Sequence, residues 1–164
     1  MGWTWKTASR AAAVVLCCAM AGLASAQPAS DPLSEHLQPT PLMGPQQVVR
    51  VQLEALRRNT PEDRGIEVAF RFASPGNKLN TGPLSRFTRM IKDEPYALML
   101  HHLDAGYGPL KIDGDVAAQQ VTLIDADRAI TYVFYLSRQK EDGPLSNCWM
   151  TDGVAVLPIP GQPA

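Results

Sequence analysis

The sequence changes its period at Pro95, and this change constrains the fold more than any other feature of the chain. Before it, apolar residues recur at helical spacing. In PQQVVRVQLEALRRN, Pro45 suits a first helical turn, and Val49, Leu53 and Leu56 follow at i, i+4 and i+7. Asn59-Thr60-Pro61 stops that helix. GIEVAFRFA aligns Ile66, Ala69, Phe70 and Ala73 on one face of a second, which breaks at Ser74-Pro75-Gly76. A third begins at Gly82-Pro83, turns Leu84, Phe87 and Met90 or Ile91 inward, and ends before Pro95.

After Pro95 the pattern alternates, as it must where successive side chains point to opposite faces. Residues 96–103, 121–126, 129–137 and 148–157 read as four strands separated by Gly- and Asp-rich turns. The third is the clearest: Ile130, Tyr132, Phe134 and Leu136 share one face, and Thr131, Val133, Tyr135 and Ser137 the other. In the fourth, Cys148, Met150, Val154 and Val156 share a parity opposed to Trp149 and Thr151, unless Asp152-Gly153 forms a bulge. Helices followed by such strands specify an α+β domain, N-terminal helices covering one face of an antiparallel sheet of about four strands.

Residues 45–157 hold this domain. Ahead of it, Lys6 and Arg10, an apolar run and Ala24-Ser25-Ala26 make a secretory leader over residues 1–26, with cleavage after Ala26 into a periplasmic or secreted protein. The apolar run is short for a membrane span, so no stable anchor is expected after cleavage. Residues 27–44 are rich in Pro, Ser and Gln and read as a flexible arm, and 158–164, with Pro158, Pro160 and Pro163, as a tail. Loss of Lys6 and Arg10 takes the net charge from −1 to −3 and leaves no basic stripe, which excludes nucleic acid as a natural partner. Cys17 and Cys18 leave with the leader, and Cys148 is then unpaired.

The segments VVRVQLEALRRN, GIEVAFRFASPGNK, TGPLSRFTRMIKDEPYALML and NCWMTDGV, in this order and at these distances, resemble the domain of unknown function 4864 family. The Phe-Ala-Ser-Pro of residues 72–75 and the Cys-Trp-Met of residues 148–150 are the most specific parts. The resemblance implies a cone like that of nuclear transport factor 2, with helices packed into a curved sheet. It implies no established activity, and a fold alone does not supply one.

The chemistry-bearing residues are sparse. His101 and His102 are adjacent, which in a strand would send their rings to opposite faces and prevent both from binding one ion, and His36 sits in the arm; no metal or organic cofactor is expected. Asp125 and Asp127 share a strand parity, with Tyr132 or His102 as potential companions across the cone, but they lie at an Asp-Ala-Asp-Arg corner where aspartate is an ordinary turn residue. Asp113-Gly114-Asp115 lacks the further ligands of a calcium loop. Cys148 has no cationic sequence neighbour to activate it and reads as a small buried hydrophobe. Arg86 and Arg89 flank inward positions and are placed to bring a guanidinium to a cavity rim. Trp149, Arg86, Arg89, Tyr132 and Asp125 are therefore the candidate pocket or rim residues. The function expected is a non-enzymatic ligand-binding or protein-interaction module for a small ligand or a protein partner, with room for a homodimer that serves as an envelope scaffold. The alternative is a small cofactor-free hydratase, isomerase or hydrolase using a carboxylate or histidine inside the cone.

Overall fold

The computed structural model describes residues 37–157, in which five helices precede a four-stranded sheet. The helices are α1 (Pro45–Arg57), α2 (Arg64–Arg71), α3 (Pro75–Thr81), α4 (Leu84–Lys92) and α5 (Leu98–His101); the strands are β1 (Asp104–Asp113), β2 (Val116–Ile124), β3 (Ala129–Arg138) and β4 (Trp149–Val156). The strands pair in the order β1-β2-β3-β4, each antiparallel to the next, and the sheet does not close. The α+β class expected from the change of period is the class observed. The expected leader, residues 27–36 of the expected arm, and the expected tail lie outside the described residues. From Leu37 on, the expected arm is docked: Pro39 is buried, Leu37 and Met43 pack against the core, and Arg71 Nη1 donates to Leu37 O at 3.4 Å.

α1 and α2 bury the stripes their spacing predicts, with Val49, Leu53, Leu56, Ile66 and Ala69 almost fully removed from water. Their approach is close enough that a Cβ on Gly65 would collide with Ala55 O and lie 2.9 Å from Asn59 Cα. Ser74-Pro75-Gly76 does end α2, but it also starts a helix the alternation of apolar residues does not reveal. Ser74 is its N-cap, its Oγ accepting from Asn77 N at 3.1 Å, and Pro75 occupies the first turn.

The first strand is a correction. Residues 96–103, read as a strand, instead form a turn and the short α5, which buries Leu98, Met99 and Leu100 together. The strand that pairs with β2 starts at Asp104, where Gly106, Gly108 and Pro109 conceal it. Gly108 and Pro109 stand opposite the single residue Gln120, between the pairs Tyr107↔Val121 and Leu110↔Gln119, so the proline sits in a bulge of an edge strand where a missing N–H is tolerated.

β3 keeps its predicted faces, with Tyr132, Phe134 and Leu136 buried inward. In β4 the bulge at Asp152 is real: Thr151 pairs with Leu136 and Gly153 with Tyr135. The parity therefore flips across it, contrary to an uninterrupted strand, and Val154 joins Trp149 and Thr151 on the helix-covered face, paired with Phe134. Cys148, Trp149, Met150 and Thr151 are all buried, so both faces of this end of the strand are covered. Its edge is partly covered as well, since Thr151 N donates to Phe72 O and Ser74 N to Thr151 O, each at 2.9 Å, in a parallel bridge.

Candidate functional site

The bulge in β4 and the helix begun by Ser74 frame a cavity of about 250 Å³ between the helices and the inner face of β3 and β4. α1, α4, α5 and β3 give it an apolar wall made of Leu56, Phe87, Met90, Ile91, Met99 and Phe134. Phe87 is fixed by Phe70 of α2, ring centroids 5.0 Å apart and tilted by 45°. Another part of the lining is polar and neutral, built from Gln52 of α1, Asn77 and Thr81 of α3, and Thr151 of β4. Asn80 and Asp152 are exposed and mark the side on which the cavity meets solvent.

The polar wall is a single hydrogen-bonded chain. Thr151 Oγ1 donates to Gln52 Oε1 at 2.6 Å, Gln52 Nε2 donates to Ala69 O at 3.0 Å, and Asn77 Nδ2 donates to Thr151 O at 3.0 Å. Thr81 Oγ1 lies 2.9 Å from Asn77 O and 3.3 Å from Asn77 Oδ1. These bonds tie α1, α2, α3 and β4 together and keep buried polar groups from being left dry. Ser137 Oγ holds the carboxylate of Asp152 at 3.0 Å on the rim.

None of the five residues expected at a pocket lines this cavity. Trp149 is in the core, with the Arg138 guanidinium 5.0 Å over its ring. Tyr132 is fully buried and donates to Pro95 O at 2.7 Å; burial, aided by the charge of Glu94, pushes its phenol up to about 12. Asp125 sits at the β2–β3 turn, where its Oδ1 accepts from Ala126 N at 2.7 Å and its own N–H donates to Arg128 O at 2.9 Å. Arg86 and Arg89 are exposed on α4, beside the Phe87 and Met90 that line the cavity. Among the described residues, no three His, Cys, Asp or Glu are grouped to hold a metal ion.

A second concavity, a groove of about 330 Å³ between α1 and the start of β1, holds His102 with Arg50, Glu54, Arg57 and Tyr107. The two histidines are separated by helix geometry rather than by strand alternation: His101 closes α5 and is exposed, while His102 follows it and is buried. His102 Nδ1 lies 2.9 Å from Met99 O, so in the neutral ring this nitrogen carries the proton. Burial lowers its pKa. Glu54 accepts from Arg57 Nε and Nη2 at 3.0 and 2.8 Å and pairs with Arg58, and the Arg57 contact holds its carboxyl below the usual range. Arg50 stacks over Tyr107 at 4.0 Å.

Fold and cavity together define an α+β domain with an apolar, amide-lined pocket at its helix–sheet junction. The family model described as Domain of unknown function (DUF4864) matches residues 43–164, and the chain belongs to that family. No curated protein matches the chain, and no solved structure does. The open four-stranded sheet is what the structure shows of the implied fold; the cone stands as an implication of the resemblance.

Signals for the true lining were present but faint. Gln52 falls at a core position of α1, between Val48 and Leu56, and a polar residue there demands a partner. Asn77 had no such signal, because its helix was hidden behind Ser74-Pro75.

Proposed function

We propose that this protein is an exported, non-enzymatic ligand-binding module whose cavity takes a small, predominantly apolar molecule. The observation that carries the reading is the cavity's make-up: a wall of Phe, Met, Ile and Leu joined by amides and hydroxyls, the composition of small-molecule sites that bind by burial and orient by a few polar groups. Neither Asp125 nor His102, the groups a carboxylate- or histidine-based reaction would use, lines it. Binding of N-phenylnaphthylamine, a neutral dye that brightens on leaving water, tests this. The protein should enhance and blue-shift its emission, and Met90→Trp, which fills the apolar wall, should weaken the enhancement about tenfold or more while keeping a cooperative urea transition. No enhancement, or an enhancement equal in the variant, would overturn the reading.

A further inference from the structure

We infer that the polar wall of the cavity is a two-donor cradle for an uncharged carbonyl oxygen, so that the ligand is a ketone, ester or amide on an apolar body; this rests on the ligand-binding reading above. Gln52, Thr151 and Asn77 are 5%, 1% and 9% exposed, so their polar atoms have little water to fall back on. Their mutual bonds also fix which way each amide faces. Gln52 Oε1 is taken by the Thr151 hydroxyl at 2.6 Å, which obliges Nε2 to face Ala69 O. Asn77 Nδ2 faces Thr151 O, and the one proton of the Thr81 hydroxyl lies between Asn77 O at 2.9 Å and Asn77 Oδ1 at 3.3 Å. Each amide nitrogen carries two N–H groups and spends one. The wall thus has Gln52 Oε1 and Thr151 O engaged and one N–H to spare on each of two amides joined through Thr151.

The charge of the lining narrows the ligand further. No Lys or Arg lines the cavity, so a carboxylate buried there would have no counter-cation. An ammonium would meet two N–H donors, and the one carboxylate on the lining, Asp152, is exposed at the rim and bonded to Ser137. A carbonyl oxygen has two lone pairs, accepts from both donors and carries no charge to desolvate. Its apolar body then runs along Phe87, Ile91 and Phe134.

Four probes of nearly one shape separate these terms: benzylacetone, isopentylbenzene, hydrocinnamate, and the primary amine obtained from benzylacetone by reductive amination. Titrations of the full protein followed by amide NMR should show the ketone binding about tenfold or more tightly than the hydrocarbon, the worth of one or two neutral hydrogen bonds, and more tightly than either ion. The side-chain NH₂ signals of Gln52 and Asn77 should shift with the ketone. Gln52→Met, which leaves the Asn77 donor in place, should bring ketone affinity several-fold closer to that of the hydrocarbon. The wild-type series decides the matter even where that variant fails to fold. A hydrocarbon that binds as well as the ketone overturns the cradle while the cavity stands as an apolar site. An amine that binds best overturns it in favour of Asp152. Failure of all four probes, with no dye enhancement, overturns the cradle and the ligand-binding reading together.

Discussion

Burial acts on His102, Cys148 and Tyr132 in directions set by which form of each carries charge. It lowers the imidazole and raises the thiol and the phenol, so all three are biased toward neutrality. Cys148 is fully buried with its Sγ 3.8 Å from Ser146 O, which agrees with the small hydrophobe its neighbours in sequence predict. For His102 the bias has a stability consequence. The unfolded chain binds a proton near pH 6.5, the folded chain only at lower pH, so between these values the unfolded state holds more protons. The contribution of this histidine is fully present above about pH 6.5 and is lost as pH falls toward the folded pKa. Urea unfolding at a series of pH values on both sides of about 6.5 should therefore show stability falling on acidification, and His102→Gln should flatten that part of the curve. An unchanged slope in the variant would place the titration elsewhere. At this scale the sequence is informative about isolated residues and poor about partners: it marks Cys148 as inert, but nothing in it pairs Gln52 with Thr151, 99 positions away.

Elements were legible where period and punctuation agree. α1, α4 and β3 contain all the residues whose spacing defines them, and α2, β2 and β4 contain most of theirs, with Ala73, Asp125, Ala126 and Cys148 falling just outside. The exceptions have local causes. Ser74-Pro75 reads as a stop because proline interrupts a helix, yet the same pair is an N-cap and first turn, and only the chain's change of direction separates the two uses. Residues 96–103 alternate well enough to look like a strand, whereas β1, carrying Gly106, Gly108 and Pro109, looks like a loop; pairing with β2 overrides its weak propensity. The α1–α2 contact offers a test at this level. Gly65 is needed because α2 starts against the α1 backbone, and a methyl group there meets Ala55 O and Asn59 Cα, neither of which belongs to a flexible side-chain end. Gly65→Ala should cost about 1–3 kcal/mol or more, in spite of the better helix propensity of alanine. Denaturant melts would measure it. A neutral or stabilising substitution would mean that the two helices slide apart without loss.

Over the described residues the molecule is a set of helices stacked on an open meander, with an amide-lined cavity at their junction. Asn80 and Asp152, exposed on the lining, mark the side on which that cavity meets solvent. Among the described residues no helix is long and apolar enough to cross one. Ahead of the domain, the basic start with Lys6 and Arg10, the apolar run and the small residues of Ala24-Ser25-Ala26 match the three regions that a secretory leader needs. An uncleaved anchor and a lipid-modified cysteine are the two other fates such a segment has. Val14-Val15-Leu16 before Cys17 lacks the small residues lipoprotein processing favours, and polar, proline-rich sequence follows the apolar run directly. The mature chain should therefore begin at Gln27, and the intact mass of protein recovered from a cell-envelope fraction should equal that of residues 27–164. A mass that retains Met1 would make the leader an anchor, and one carrying acyl chains on Cys17 or Cys18 would tether the domain to a bilayer. Either mass would overturn release, and with it the expectation that the cavity samples ligands as a freely diffusing protein.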